Sequence, residues 1–126
     1  MIPKKIHYCW FGGNKKSKLI LECIKSWKRH FPDYEIIEWN EGNFDIHQCD
    51  YVEQAYKQKK WAYVSDYARM KILDLYGGIY FDTDVEVIKR FPEELREHSF
   101  SGIEEFSKLV APGLVYGCES GDIIVH

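Results

Sequence analysis

A chain of 126 residues with 45% hydrophobic content is long enough to bury one core and too short for several, so one domain, or a piece of one, is expected over residues 1–126. A net charge of −3 gives no basic footprint: no nucleic acid is expected as a general partner, and Lys57, Lys59 and Lys60 read as a solvated charge run. No stretch approaches the roughly 20 apolar residues of a membrane span and no signal-peptide core opens the chain. Cys9, Cys23, Cys49 and Cys118 are spaced as neither a zinc site nor a disulfide framework. The expectation is a cytoplasmic protein with reduced thiols, without a transmembrane segment, touching a membrane only through partners, a surface patch or residues outside this sequence.

Lys5 to Trp10, rich in aromatic and β-branched residues, reads as a strand closed by Gly12 and Gly13. Ser17 is a suitable N-cap for a helix from Lys18 to His30, with Leu19, Cys23, Ile24 and Trp27 at helical spacing and Pro32 beyond its end. Tyr34 to Trp39 alternates as a second strand, which makes the opening of an α/β sheet. After a polar loop, a short helix is expected over Tyr51 to Lys59 and a longer one over Ala62 to Tyr76. On the longer helix Val64, Ala68, Ile72 and Leu75 form the expected core stripe, and Lys71 and Asp74 read as an exposed pair. Asp66 and Arg69 lie on a third side, beside Leu73 and away from the other charges. Gly77 and Gly78 supply the conformation that ends the helix, and the chain re-enters the sheet at once. Strand segments are expected over Val85 to Ile88, Phe100 to Ile103 and Leu114 to Tyr116, with a turn or short helix over Phe91 to Leu95.

The stretch Gly77 to Val87 carries the chemistry. Asp82 and Asp84 are placed where an apolar strand ends, and residues i and i+2 of a strand share a face, with backbones about 6.6 Å apart. Two carboxylates so placed suit manganese or magnesium, with a phosphorylated ligand completing the shell; the alternative is a pair of turn or cap aspartates. Asp66 and Arg69 form either a plain intrahelical ion pair or the wall of a polar pocket, the arginine offering a fixed fork of donors and the aspartate accepting from hydroxyls, as a sugar requires.

Ser65-Asp66-x-x-Arg69, then Gly77-Gly78-x-Tyr80-x-Asp82-x-Asp84, with Ile6 to Gly13 upstream, resembles the DXD-containing glycosyltransferases of the GT-A type. Within them it is most similar to the capsular-polysaccharide-synthesis and yeast α-1,6-mannosyltransferase-like family, which is related to the glucosylating bacterial toxins. The resemblance spans Ile2 to Ile88. It implies an α/β, Rossmann-like nucleotide-diphospho-sugar transferase fold, truncated here at its C-terminus, since similar enzymes are longer and their C-terminal part completes the donor site.

What the resemblance implies for single residues is as follows. Trp10 would lie against the nucleotide base, unless it is a core aromatic at a strand end, and Cys9 would contact the base through its backbone. Ser65, Asp66 and Arg69 belong to the block that contacts the donor sugar and ribose. Tyr80 would line the diphosphate region, its other reading being a packed strand tyrosine. Asp82 and Asp84 would hold Mn2+ or Mg2+, Asp84 more directly, so that Asp66, Arg69, Asp82 and Asp84 form the expected catalytic set. The implied reaction is transfer of a hexose, with retention, from a nucleotide-diphosphate sugar (UDP- or GDP-hexose) to a saccharide or lipid-linked saccharide acceptor in surface polysaccharide synthesis. Developing charge on the departing nucleoside diphosphate would be stabilised by the cation. No nucleophile stands out; Glu119 is acidic and downstream. A magnesium phosphatase of the haloacid dehalogenase type also carries Asp-x-Asp after a strand, but Glu86 stands where such enzymes want Thr or Val, and the upstream blocks would go unexplained. A non-catalytic nucleotide-sugar-binding remnant is the remaining alternative.

Overall fold

A computed structural model describes residues 2–87 and the strand segments 100–101, 110–111 and 115–118. The elements are β1 (Lys5–Cys9), α1 (Lys18–His30), β2 (Glu35–Trp39), α2 (Asp50–Lys57), α3 (Trp61–Tyr76), β3 (Gly78–Phe81), β4 (Glu86–Val87), β5 (Phe100–Ser101), β6 (Val110–Ala111) and β7 (Val115–Cys118). One sheet runs β2-β1-β3-β7-β5, and β4 pairs with β6 separately. β1 is parallel to both β2 and β3, whereas β7 is antiparallel to β3 and β5. The expected α/β architecture is therefore present. The expected segments Phe91 to Leu95, Ile88, residues 102–103 and Leu114 lie outside the described residues.

Alternation along the strands sorts the core into two layers. Ile6 and Tyr8 of β1 with Ile79 and Phe81 of β3 face α1, where Ile24, Trp27 and Phe31 close the layer. Cys9 and Tyr80 point the other way, toward Val52 and Ala55 of α2 and Val64, Ala68, Ile72 and Leu73 of α3. Ser17 caps α1 as expected, its Oγ accepting from Ile20 N at 3.2 Å. Leu19, expected in the stripe of α1, is 67% exposed; Ile20 packs against the core instead.

The stripe of α3 also differs from expectation. Leu73 is fully buried and Leu75 is 54% exposed. At 100° per residue these two lie roughly 160° apart, so covering one exposes the other. The covered stripe drifts around the helix from Val64 to Leu73 because α3 packs on the sheet and on α2 at once. Lys71 and Asp74, expected in full solvent, are half-buried. The drift carries Ser65 and Arg69 onto the sheet-facing side.

The turn from α2 into α3 is fixed by two backbone bonds: Lys60 N donates to Ala55 O at 2.9 Å and Lys59 N to Tyr56 O at 3.0 Å. This paired closure ends many helices, and its pivot, Lys59, sits at φ 57°, where glycine is normally preferred. Lys59→Gly is expected to raise unfolding free energy by about 0.5–1 kcal/mol, read as a higher urea midpoint at unchanged slope.

Gly77 ends α3 at φ 68°, ψ −175°, a region outside the left-handed helical basin and essentially reserved for glycine. Its carbonyl accepts from His7 Nε2 at 2.8 Å, while His7 Nδ1 accepts from Trp39 Nε1 at 3.0 Å. His7 is therefore a neutral imidazole protonated at Nε2, and a second proton would set its Nδ1–H against the indole N–H. Burial lowers its pKa below the ordinary 6.5, with the Gly77 carbonyl partly opposing. Because the unfolded chain takes up this proton first, the contribution of His7 is intact above pH 6.5 and is lost as pH falls from there toward the lowered folded value. His7→Gln is expected to flatten that part of the stability–pH curve measured by urea unfolding.

Candidate donor-binding cleft

In a parallel sheet the loops leaving the C-terminal ends of adjacent strands diverge where the chain order reverses, and a crevice opens between them. Here β1 connects to β2 on one side and neighbours β3 on the other. The loops after β1 and β3 part at that point, and two adjoining clefts lie there.

The first, of about 330 Å³, is lined by Ser65, Asp66 and Arg69 of α3, by Cys9 and Tyr80 from strand ends, and by Asp82, Thr83 and Asp84. The expected catalytic set is thus brought into one cleft. The acids are not, however, on a strand edge. β3 ends at Phe81, and Asp82 to Asp84 turn, with Val85 N donating to Asp82 O at 3.0 Å. Same-face alternation therefore does not place the two carboxylates; the turn does. Its downstream end is anchored in the α1 layer, where Trp27 Nε1 donates to Val85 O at 2.7 Å and Ser26 Oγ accepts from Val87 N at 2.9 Å.

Asp66 and Arg69 form the intrahelical ion pair at 3.1 Å and also line the cleft, so both readings of the pair hold. The side chain of Arg69 is 18% exposed against 52% for Asp66. Its guanidinium lies 5.9 Å from the Tyr80 ring centroid, and its Nε is buried without a hydrogen-bond partner among the described residues. An arginine N–H left in that state costs free energy unless something accepts from it. Tyr80 is itself buried, and desolvation, with the nearby Cys9 and Asp82, pushes its phenol well above the ordinary range, so it stays protonated. Burial likewise pushes the Cys9 thiol up to about 12, with Tyr80 and Arg69 only partly opposing, which makes it a neutral wall group rather than a nucleophile.

The second cleft, of about 170 Å³, shares Cys9, Ala62, Ser65 and Thr83 with the first and is bounded by Trp10, Phe11, Asn14 and Trp61. Trp10 is half-buried: it lines this cleft and also packs against the core layer on α1. Its Nε1 donates to Asn14 O at 2.7 Å, and Lys16 Nζ lies 5.7 Å from its ring centroid. Lys16 in turn pairs with Glu38 at 2.6 Å. Burial pushes the Glu38 carboxyl up, but hydrogen bonds from Lys16, Asn40 and Tyr8 outweigh that and hold it low. Sequence reasoning missed Trp61, whose indole lies so close to Gly12 that a Cβ there would come within 2.6 Å of it. The available signal was its position one helical turn before Ser65.

Asp82 and Asp84, two of the three carboxylates that line the cleft, supply hard oxygen donors and fit a divalent cation that takes its other ligands from diphosphate and water, Asp66 being paired with Arg69. Among the described residues no group of three or more His, Cys, Asp or Glu side chains is disposed to hold an ion by protein alone. Glu119 lies outside the described residues.

Residues 17–101 match the family described as glycosyltransferase sugar-binding region containing DXD motif, and the chain belongs to that family. Among its relatives, "Subversion of eukaryotic traffic protein A" of Legionella pneumophila is 30% identical over 75% of this chain and 19% of its own length. An uncharacterized glycosyltransferase of Acanthamoeba polyphaga mimivirus is 34% identical over 68% of this chain and 36% of its own. The solved structure of the PaToxG glycosyltransferase superposes with a TM-score of 0.57 at 26% identity, over 71% of this chain and 45% of that one. The chain therefore spans less than half the length of each. No described helix is long and apolar enough to cross a membrane.

Proposed function

We propose that this chain is the nucleotide-sugar-binding part of a metal-dependent, retaining hexosyltransferase of the capsular-polysaccharide and α-1,6-mannosyltransferase-like branch, using a UDP- or GDP-hexose donor and a saccharide or lipid-linked saccharide acceptor. The observation that carries the proposal is the buried, unpartnered Arg69 Nε in the cleft that also holds Asp82 and Asp84. A cationic fork beside two acids suits a ligand that carries phosphate oxygens and sugar hydroxyls together.

The base lies in the aromatic cleft against Trp10, a cleft that Trp61 also lines. Ser65 and Thr83, common to both clefts, stand where ribose and diphosphate pass from one to the other. Asp66 accepts from a sugar hydroxyl while keeping Arg69 in place, and Arg69 donates to the donor's oxygens. Asp82 and Asp84 are the residues that would hold manganese or magnesium, which when bound supplies Lewis-acid stabilisation of the leaving diphosphate. Tyr80, protonated and packed beneath Arg69, limits the reach of water to the guanidinium.

Incubation with UDP- and GDP-hexoses and manganese, followed by mass spectrometry, tests the donor half of the proposal. Release of UDP or GDP with free hexose is expected. Phosphate release from p-nitrophenyl phosphate without nucleotide-sugar breakdown would overturn it in favour of phosphatase chemistry.

A further inference from the structure

A third concavity, of about 270 Å³, lies outside the donor cleft, between α2 and the start of α3, lined by Tyr51, Gln54, Ala55, Gln58, Lys60 and Tyr63. Two large aromatics stand unusually open here: Tyr51 is 54% and Tyr63 50% exposed. Gln54 and Gln58 are exposed and lie one turn apart on the same side of α2. The floor, Ala55, is small and buried. Among the described residues the groove is lined by no carboxylate and by one cation, Lys60, whose Nζ is 5.7 Å from the Tyr63 ring centroid.

This composition is specific in its chemistry. Exposed tyrosines give flat apolar faces that stack on the C–H face of a pyranose, and each carries a hydroxyl at its edge. Each glutamine amide presents a donor and an acceptor side by side, which matches a pair of neighbouring hydroxyls. An anionic ligand would find one cation, and a peptide strand would find no sheet edge.

The groove is also preformed. The closure at Lys59 and Lys60 ties the end of α2 to the start of α3, so Gln58, the C-cap of α2 whose N–H donates to Gln54 O at 3.1 Å, and Tyr63 of α3 are held in place by backbone hydrogen bonds. Lys60 and Tyr63 flank Trp61 and Ala62, which line the donor clefts, so the groove lies around the same helix end as the base-binding wall.

We infer that this groove is a subsite for a neutral oligosaccharide, binding units of the acceptor away from the residue that receives the hexose. The inference rests on the glycosyltransferase reading above for its role in the reaction, although binding by the groove is separately measurable. Fluorescently labelled wild-type protein is applied to an array of immobilised neutral and acidic oligosaccharides, alongside Tyr63→Ala, Tyr63→Phe and Gln58→Ala variants. Manganese-dependent UDP and GDP binding by calorimetry and the thermal midpoint are measured on each.

Retention of neutral glycans is expected, lowered about tenfold by Tyr63→Ala, as loss of one aromatic contact implies, and largely kept by Tyr63→Phe. Nucleotide binding and midpoint should stay unchanged in every variant. Absence of glycan retention, or retention by both Tyr63→Ala and Gln58→Ala equal to that of the wild type, overturns the inference while leaving the donor site standing. Retention confined to acidic glycans also overturns it, assigning the groove to anions through Lys60. Loss of nucleotide binding in the wild type, with neutral glycans still retained, instead defeats the transferase reading.

Discussion

Arg69→Ala is expected to lower kcat/KM for nucleotide-sugar breakdown by about 10²–10³-fold, the loss that follows removal of one preorganised donor to developing charge. The expectation follows from the state of the side chain. Arg69 is largely buried, held by Asp66 at 3.1 Å and by the Tyr80 ring, so it is oriented before any ligand arrives. Its Nε has no hydrogen-bond partner among the described residues, so the side chain has unused donor capacity beside the cleft. Arg69→Lys should recover little of the loss, because an ammonium cannot reproduce the planar fork. Steady-state assays of the three proteins check this; a change in KM alone would show that Arg69 binds ground and transition states equally.

Gly78→Ala is expected to be strongly destabilising, lowering unfolding free energy by about 2–5 kcal/mol from overpacking and backbone strain together. Gly78 sits at φ +110°, and an added Cβ would come within 2.8 Å of Lys5 O and 2.9 Å of His7 Nε2. Neither atom can retreat. Lys5 O belongs to β1, and His7 is fixed at both ring nitrogens by Gly77 and Trp39. Gly13→Ala is the control, since φ there is +69° but nothing lies within 4 Å of the added atom, leaving only the conformational cost. Urea unfolding of both variants measures the difference; equal losses would show that crowding at β1 contributes nothing.

Much of this arrangement was legible before any coordinates. Strong periodicity and a capping serine fixed α1 at Lys18–His30, as expected. The glycine pair marked the return to the sheet because no other residue adopts φ 68°, ψ −175° readily. Asp66, Arg69, Asp82 and Asp84 do share a cleft. The shape of the acidic segment was less legible, because Phe81-Asp82-Thr83-Asp84-Val85 alternates as well as any strand, and only the bond from Val85 N to Asp82 O makes it a turn. Leu75 was misplaced for a different reason: α3 packs on two partners, and a stripe read for one partner cannot show the drift that buries Leu73. Trp61 escaped notice because its role depends on Gly12, which is distant in sequence and brought near only by the parallel pairing of β1 with β3.

The role of His7 could not be read from its type. A buried histidine in an aromatic strand invites a catalytic interpretation, yet both of its ring nitrogens are committed, one to the carbonyl of Gly77 and the other to Trp39. It positions the turn between α3 and β3 and thereby acts on the acidic segment only through the backbone.

Isothermal calorimetry of UDP and GDP, with and without manganese, on wild type and Asp84→Ala measures the central claim most directly. Asp82 and Asp84 together with Arg69 predict that one of the nucleotides binds the wild type, that manganese strengthens its binding, and that Asp84→Ala removes the manganese dependence while a base-cleft contribution persists. Identical manganese-dependent binding by wild type and Asp84→Ala would contradict the account.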